Sequence, residues 1–197
     1  MPSARFELVR LSVLICVLTE RLDGMKALLI ELGEQARSVV ERVEVLALVD
    51  DRFLTVGDKR NRLVSIARGD YVAFVDDDDW VYPDYVIRLI QALRHDPDVA
   101  TFTVEVTLDG GPPKPCYYSI HYPDQGEVAS HYWRWPNHLC AIRRDLALAH
   151  PFPSRNFGED TAFAESIRPD LKREVKIDQI LYQYRFSSRH TATQRPT

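Results

Sequence analysis

Four consecutive aspartates, Asp76–Asp79, directly follow the apolar run "YVAFV". Like charges at this spacing repel one another, so a fold that keeps them together needs a compensating positive charge. Such a cluster suits Mg²⁺ or Mn²⁺, which takes one or two protein carboxylates and completes its shell with waters and phosphate oxygens. A solvated turn is the simpler alternative. A calcium loop is a third, although the spacing is not that of an EF-hand.

A second acidic pair, Asp50–Asp51, ends the apolar run "VEVLALVDD". In open parallel sheets, ligands bind at the carboxyl ends of the strands. The sequence predicts such a sheet because strands and helices alternate along the first half of the chain. The predicted strands cover 11–18, 43–51 and 70–79, and the predicted helices cover 21–40, 57–69 and 82–97, with Gly69 as the stop of the second helix. Both acidic groups are therefore expected at one edge of the sheet.

The second half of the chain is less regular. A strand with period-two alternation at 100–108 is followed by the turn-rich "DGGPPKP". Further strands are predicted at 116–122 and 174–184, and a helix at 159–167. The polar tail after residue 186 carries no predicted element.

The chain has 197 residues, of which 45% are hydrophobic and 27% charged, and this composition fits one globular domain. The net charge of −4 argues against a non-specific nucleic-acid binder. No run approaches the ~20 apolar residues that span a bilayer. The N-terminus resembles a signal peptide, but Glu7 interrupts its basic region and no small-residue cleavage site follows, which favours a buried strand. We therefore expect a cytoplasmic protein.

Two features narrow the function. The three cysteines are odd in number and widely spaced, which favours neither a disulfide framework nor a zinc cluster. The segment "LTERLDG" after the first strand lacks the glycines of a dinucleotide-binding loop or a P-loop. A Rossmann dehydrogenase and a P-loop NTPase are therefore disfavoured.

In order along the chain, several segments resemble glycosyltransferase family 2, and in particular its small bacterial and viral members. The matching segments are "LSVLICVL", "VEVLALVDD", "GDKRNRLVSIARGDYVAFVDDDDW" and "FGEDTAFAESI". The resemblance implies one GT-A-like α/β domain over 1–197, with a mostly parallel central sheet flanked by helices. Residues 1–108 would form the half that binds nucleotide sugar and metal. Residues 109–197 would form the acceptor-side half and the C-terminal tail.

The resemblance also implies an activity. The chain would be a metal-dependent glycosyltransferase, with Mn²⁺ or Mg²⁺ at an Asp-x-Asp motif. It would move a sugar from a nucleoside diphosphate sugar to a hydroxyl acceptor with inversion. A glycan, a protein, a lipid-linked precursor and a modified DNA base all remain open as acceptors. Two alternatives remain: a nucleotidyltransferase on a similar sheet, and a non-catalytic module that binds nucleotide sugar or a divalent cation.

Donor-site roles carry over residue by residue. Asp50 and Asp51 would contact the nucleotide near its base, while Arg60 and Asn61 would lie on a helix under the donor. One departure stands out, because the family's usual Asp-Asp-Gly-Ser after the second strand reads "DDRF" here. The contacts of this loop with the nucleotide are therefore expected to differ.

Metal-site roles fall on the aspartate run. Asp78 would hold the cation against the diphosphate, and Asp76 would face the ribose or the metal shell. Asp77 is assigned to the donor. Because the run has four aspartates, the Asp-x-Asp motif can be aligned with it in more than one register, which leaves the roles of Asp77 and Asp79 open. His190 is a candidate third metal ligand, with an exposed tail histidine as the equal alternative.

The group expected to take the proton from the acceptor hydroxyl lies in the acceptor-side half. Asp160 would be the catalytic base of an inverting enzyme. The alternative is a carboxylate that stabilises a helix N-terminus, a role that Glu159 could fill alone. For His138 we favour a structural or acceptor-side role over metal binding. The aromatic residues of this half fit a core or an acceptor wall equally well, and they are Tyr117, Tyr118, Tyr132, Trp133 and Trp135.

Overall fold

The computed structural model describes residues 8–188. The first part of the chain forms β1 (Val9–Leu18), α1 (Leu22–Arg37), β2 (Arg42–Asp50), α2 (Val56–Ile66), β3 (Tyr71–Phe74), β4 (Trp80–Val81), α3 (Tyr85–Leu93) and β5 (Val99–Leu108). The second part forms β6 (Lys114–Tyr118), β7 (Gly126–Glu127), β8 (Tyr132–Arg134), β9 (Ala141–Arg143), α4 (Arg144–Ala149), α5 (Glu159–Ile167) and β10 (Glu174–Phe186).

The strands of the described residues join into one ten-stranded sheet. Its order is β2-β1-β3-β9-β5-β6-β8-β7, while β10 pairs with β5 and β4. The longest ladders, β1 with β2 and β5 with β10, are parallel, and so is β1 with β3. The predicted α/β domain with a mostly parallel central sheet is therefore confirmed.

The core forms around β1, as its unbroken apolar run predicts. Val13, Leu14 and Ile15 are fully buried, and the core also takes in Leu28 of α1 and Leu63 of α2. A strand buried on both faces needs apolar residues at successive positions, which "LSVLICVL" supplies. The second strand was also expected to be buried, and this was wrong. β2 lies at the sheet edge, and its residues are half-buried or exposed.

The predicted strand at 70–79 is shorter than expected. β3 ends at Phe74, and the backbone N–H of Asp79 then donates to the Asp76 carbonyl at 3.1 Å in a turn. Between β3 and β5 lies β9, a three-residue strand that the sequence analysis missed. The apolar segment 139–142 was the available signal, and Ile142 of β9 pairs with both neighbouring strands.

Gly69 was predicted to stop α2, but the helix ends earlier, at Ile66. The glycine is required for a different reason. A Cβ atom at this position would come within 2.6 Å of the backbone nitrogen of Ser12. Gly69 therefore allows the start of β3 to pass close beside β1.

The two acidic groups converge as predicted. Leu18, the last residue of β1, pairs with Asp50 at the end of β2. Its backbone N–H donates to the Asp77 carboxylate at 3.2 Å. The carboxyl ends of β1, β2 and β3 therefore meet at one edge of the sheet. Among residues 8–188, no helix is long and apolar enough to cross a membrane.

Candidate active site

A cleft of about 170 Å³ opens at this edge, and we call it the aspartate cleft. The loop after β3 contributes three carboxylates to it, and the loops after β1 and β2 contribute its other rim. Tyr184 and Arg185 of β10 close it from the second half of the chain. The residues that carry charge at the cleft are Asp76, Asp77, Asp78, Glu159, Arg21, Arg52, Lys59, Arg60 and Arg185.

Asp76 lines the cleft, and its carboxylate is held by Arg60 and His138. The Arg60 guanidinium contacts its carboxylate at 3.2 Å, and Nε2 of His138 lies 3.4 Å from the other oxygen. Burial raises the pKa of Asp76, but the charge of Arg60, followed by the contact with His138, outweighs burial and holds the pKa below its usual range. Asp76 is therefore ionised at neutral pH.

Arg60 is the buried cation that balances this region. It is only 4% exposed and also contacts the Glu159 carboxylate at 3.5 Å. Its guanidinium carbon lies 5.2 Å from the ring centre of Phe74 and 5.6 Å from that of Phe152. Nε and Nη1 have no hydrogen-bond acceptor among the described residues. The two aromatic faces therefore provide the remaining stabilisation for this charge.

Asp77 and Asp78 share a second cation. The Nη1 atom of Arg21 lies 2.7 Å from the Asp77 carboxylate and 2.9 Å from that of Asp78. The Asp77 side chain is 8% exposed, whereas the Asp78 side chain is 35% exposed. Burial raises the pKa of Asp78, and the negative charges of Asp76 and Asp77 raise it further. The positive charge of Arg21 lowers this pKa but does not outweigh them, so the pKa stays above its usual value. Asp78 is therefore the more exposed of the two carboxylates that share Arg21.

Asp79 points away from the cleft and into the core. It is 4% exposed and accepts hydrogen bonds from the Tyr182 hydroxyl and from the backbone N–H of Arg185, both at 2.7 Å. The same hydroxyl accepts from the backbone N–H of Asp76 at 3.0 Å. Tyr182 therefore fixes the aspartate loop to β10. The sequence analysis missed Tyr182, whose position in the predicted strand at 174–184 was the only signal.

This role of Tyr182 predicts a stability difference between two buried tyrosines. Tyr182→Phe removes one of the two hydrogen bonds that the Asp79 carboxylate accepts and takes away the acceptor of the Asp76 N–H, which should cost about 1–3 kcal/mol of unfolding free energy. Tyr85→Phe is the matched control, because the buried hydroxyl of Tyr85 has no partner among the described residues. Urea denaturation should show a neutral or stabilising effect for Tyr85→Phe. Equal losses for both variants would contradict the role given to Tyr182.

The remaining donor-site candidates lie beside the cleft. Asp50 accepts from Lys59 Nζ at 2.7 Å and from the Leu54 N–H at 2.9 Å, so it anchors the loop after β2. Asp51 is exposed and does not line the cleft. The Asn61 amide exchanges two hydrogen bonds with the backbone of Phe152, at 2.8 and 2.9 Å. Asn61 therefore holds two segments together under the cleft.

Asp160 lines a second space, the Asp160 cavity, of about 430 Å³. It lies in the first turn of α5, after Gly158, whose φ of 72° is readily adopted by glycine. Its neighbour Glu159 turns inward to Arg60, so only Asp160 faces this cavity. Tyr184 lines both the aspartate cleft and the Asp160 cavity. The two spaces are therefore adjacent.

The aromatic residues of the second half have two kinds of surroundings. Tyr118 and Tyr132 line the Asp160 cavity. Trp133 donates to the Asp124 carboxylate, and Trp135 donates to the Tyr122 carbonyl, each at 2.9 Å. The tyrosines thus form part of a cavity wall, whereas the tryptophans hold the surrounding loops.

Comparison with known proteins identifies the family. The family model described as glycosyl transferase family 2 matches residues 33–154. The chain belongs to glycosyl transferase family 2. The matched region contains β2, α2 and the whole aspartate loop, but it ends before Asp160.

Two relatives of this family member are informative. EpsH of Bacillus subtilis (strain 168), which is named as a glycosyltransferase, is 24% identical over 116 residues, covering 55% of this chain and 29% of EpsH. The crystal structure of S. aureus TarS 1-349 has a TM-score of 0.56 at 17% identity, covering 90% of this chain and 60% of TarS 1-349. Its complex with UDP-GlcNAc has a TM-score of 0.58 at 17% identity, covering 90% and 59%. The predicted GT-A fold is confirmed.

The carboxylates of the aspartate cleft in this family 2 chain suit an open divalent-cation site better than a closed one. Among residues 8–188, no three His, Cys, Asp or Glu side chains converge as a closed metal cage requires. Mg²⁺ needs only one or two carboxylates when substrate phosphates supply the rest. The partly exposed Asp78, which lines the cleft beside Asp76 and Asp77, fits that kind of site. His190, the third predicted ligand, lies outside the described residues.

Proposed function

We propose that this chain transfers a sugar from a nucleoside diphosphate sugar to an acceptor hydroxyl, with inversion at the anomeric carbon. One observation carries the proposal: the aspartate cleft and the Asp160 cavity meet at Tyr184. A donor diphosphate in the first space and an acceptor in the second would bring the reacting atoms together. Family membership supports the same reaction class.

The structural similarity to TarS supports a nucleotide sugar as the donor. TarS has been crystallised with UDP-GlcNAc and with UDP, and its fold covers 90–91% of this chain. In our proposal, Asp76 and Asp77 contact the donor from the bottom of the aspartate cleft. Asp50 and Asp51 act at the nucleoside end, where Asp50 also anchors the loop.

A divalent cation, Mn²⁺ or Mg²⁺, would be held by Asp78 together with Asp76. When bound, it would neutralise the diphosphate that leaves. The chain's own residues support the same charge balance. Arg60 keeps Asp76 ionised, and Arg21 holds Asp77 and Asp78 in place.

On the acceptor side, Asp160 would be the general base. The acceptor hydroxyl passes its proton to the Asp160 carboxylate as its oxygen attacks the anomeric carbon. The bond from that carbon to the diphosphate breaks, and the diphosphate leaves with the electron pair. A single displacement of this kind inverts the configuration. Neighbouring Glu159 is occupied by Arg60, which supports giving the catalytic role to Asp160.

The metal assignment predicts that Asp78→Asn uncouples donor binding from metal. In calorimetry with a panel of nucleoside diphosphates, the wild-type chain should bind one of them at least about tenfold more tightly with Mn²⁺ than with EDTA. Asp78→Asn should bind equally weakly in both buffers, because its amide carries no charge for the cation. Asp84→Asn, which changes a half-buried aspartate paired with Arg88, is the control and should behave as wild type. Metal-dependent binding that survives in Asp78→Asn would disprove the assignment.

A further inference from the structure

Arg52 has an unusual backbone conformation. It lies in the loop between β2 and α2, and its φ of 62° is in the left-handed region that glycine adopts freely. Among the described residues, the other non-glycine residues with positive φ are Asp96 and Asp109. Aspartate tolerates this region because its short side chain can bond locally, whereas arginine has no such advantage. The backbone therefore does not explain why an arginine is present here.

The ion pair of Arg52 does not explain it either. The guanidinium makes two hydrogen bonds to the Glu20 carboxylate, at 2.7 and 3.2 Å. Both side chains are more than half exposed, at 59% and 58%. Exposed ion pairs contribute little to the stability of a fold. An observed strained residue without a structural reason points to function.

The surroundings of Arg52 fix where its guanidinium lies. Asp50 anchors the loop through Lys59 and the Leu54 N–H. Glu20 follows β1, so the pair with Arg52 bridges the loops after β1 and β2. Arg52 also lines the aspartate cleft. The guanidinium is therefore held at the cleft mouth, on the β2 side of β1, whereas the aspartate run follows β3 on the other side.

We propose that Arg52 is a specificity-determining residue that donates hydrogen bonds to the donor's nucleobase at the carbonyl oxygen O4 of uracil or O6 of guanine. This inference rests on the proposed function, in which the aspartate side takes the diphosphate and leaves the β2 side for the nucleoside. A guanidinium has five N–H donors and no acceptor. It therefore favours uracil or guanine, which carry a carbonyl where cytosine and adenine carry an amino group.

The test is a calorimetric titration of UDP, GDP, CDP and ADP, and of the matching monophosphates, with Mn²⁺ present. Wild type should prefer either UDP or GDP. Arg52→Gly should bind the preferred diphosphate and the matching monophosphate more weakly than wild type, by the same factor of roughly tenfold. Its affinity for CDP and ADP should remain within about twofold of wild type.

Asp96→Gly is the matched control, because it also replaces a residue with positive φ that forms an exposed ion pair, in this case with Arg10. The two glycine variants should have similar melting temperatures, and Asp96→Gly should bind every nucleotide as wild type does. Arg52→Asn provides a second variant, since asparagine tolerates positive φ. It should lose the same base preference as Arg52→Gly.

Three outcomes would overturn this inference while leaving the proposed function standing. Wild-type affinity of both Arg52 variants for the preferred base would remove Arg52 from recognition. A loss confined to diphosphates, with monophosphates unchanged, would make the contact one to phosphate. A wild-type preference for CDP or ADP would contradict the carbonyl assignment. If wild type binds no nucleoside diphosphate at all, the proposed function fails and this inference fails with it.

Discussion

Asp160→Asn should lower the rate of sugar transfer by about 10²–10⁴-fold while donor affinity stays at the wild-type level. The amide has the same shape as the carboxylate but cannot accept the hydroxyl proton. The side chain of residue 160 lines the Asp160 cavity and not the aspartate cleft. The substitution therefore removes no contact with a donor bound in the aspartate cleft. Single-turnover transfer with saturating donor, combined with calorimetry of donor binding, measures both quantities.

Asp145→Asn is the matched control for this experiment. Asp145 also lies in the first turn of a helix, α4, and its side chain is 67% exposed. Both substitutions remove a negative charge from a helix N-terminus, so any effect of the helix dipole alone should be shared. Transfer by Asp160→Asn at the rate of Asp145→Asn would show that Asp160 is a helix-capping charge and not the base.

Arg60→Met should destabilise the fold by about 3–5 kcal/mol, which is the largest stability effect we expect from one substitution. The thioether side chain still packs between Phe74 and Phe152, but Asp76 and Glu159 lose their shared cation. An uncompensated buried charge is costly even where the original pair contributed little net stability. Urea denaturation followed by tryptophan fluorescence measures the change in unfolding free energy.

Two further variants make the Arg60 prediction specific. Arg88→Met breaks an exposed pair with Asp84 in α3, where both side chains are more than 40% exposed, and should cost no more than about 1 kcal/mol. Arg60→Met combined with Glu159→Gln should regain part of the loss, because one of the two orphaned charges is removed. A loss of less than about 1 kcal/mol in Arg60→Met would show that Arg60 is not the charge balance of the site.

The parts of the fold that could be predicted are those that local pattern determines. The unbroken apolar run of β1 and the helical spacing in α1 each specify an element without knowledge of distant partners. The convergence of Asp50 with Asp76–Asp78 then follows from the geometry of parallel strands. A strand as short as β9 has no such pattern, and its place is set by its neighbours β3 and β5.

The parts of the site that could not be predicted depend on contacts between distant segments. Tyr182 bonds to Asp79 across 103 residues of sequence, and Arg21 reaches Asp77 across 56. Because of these contacts, Asp79 is buried in the core, and Asp78 is the most exposed acid of the aspartate cleft. The cleft also takes Tyr184 from the second half of the chain. The aspartate cleft is therefore lined by residues from both halves of the chain.

Thermal stability against a panel of nucleoside diphosphates and their sugars, with Mn²⁺, Mg²⁺ or EDTA, tests the central claim most directly. A ligand at about 100 times its Kd stabilises a fold by about 2.7 kcal/mol. For a chain of this size, that corresponds to a rise in Tm of roughly 5–10 °C. We expect such a rise with one nucleoside diphosphate, and we expect EDTA to abolish it. Stabilisation by Ca²⁺ alone, with no response to any nucleoside diphosphate, would contradict the account and make the aspartates a structural cation site.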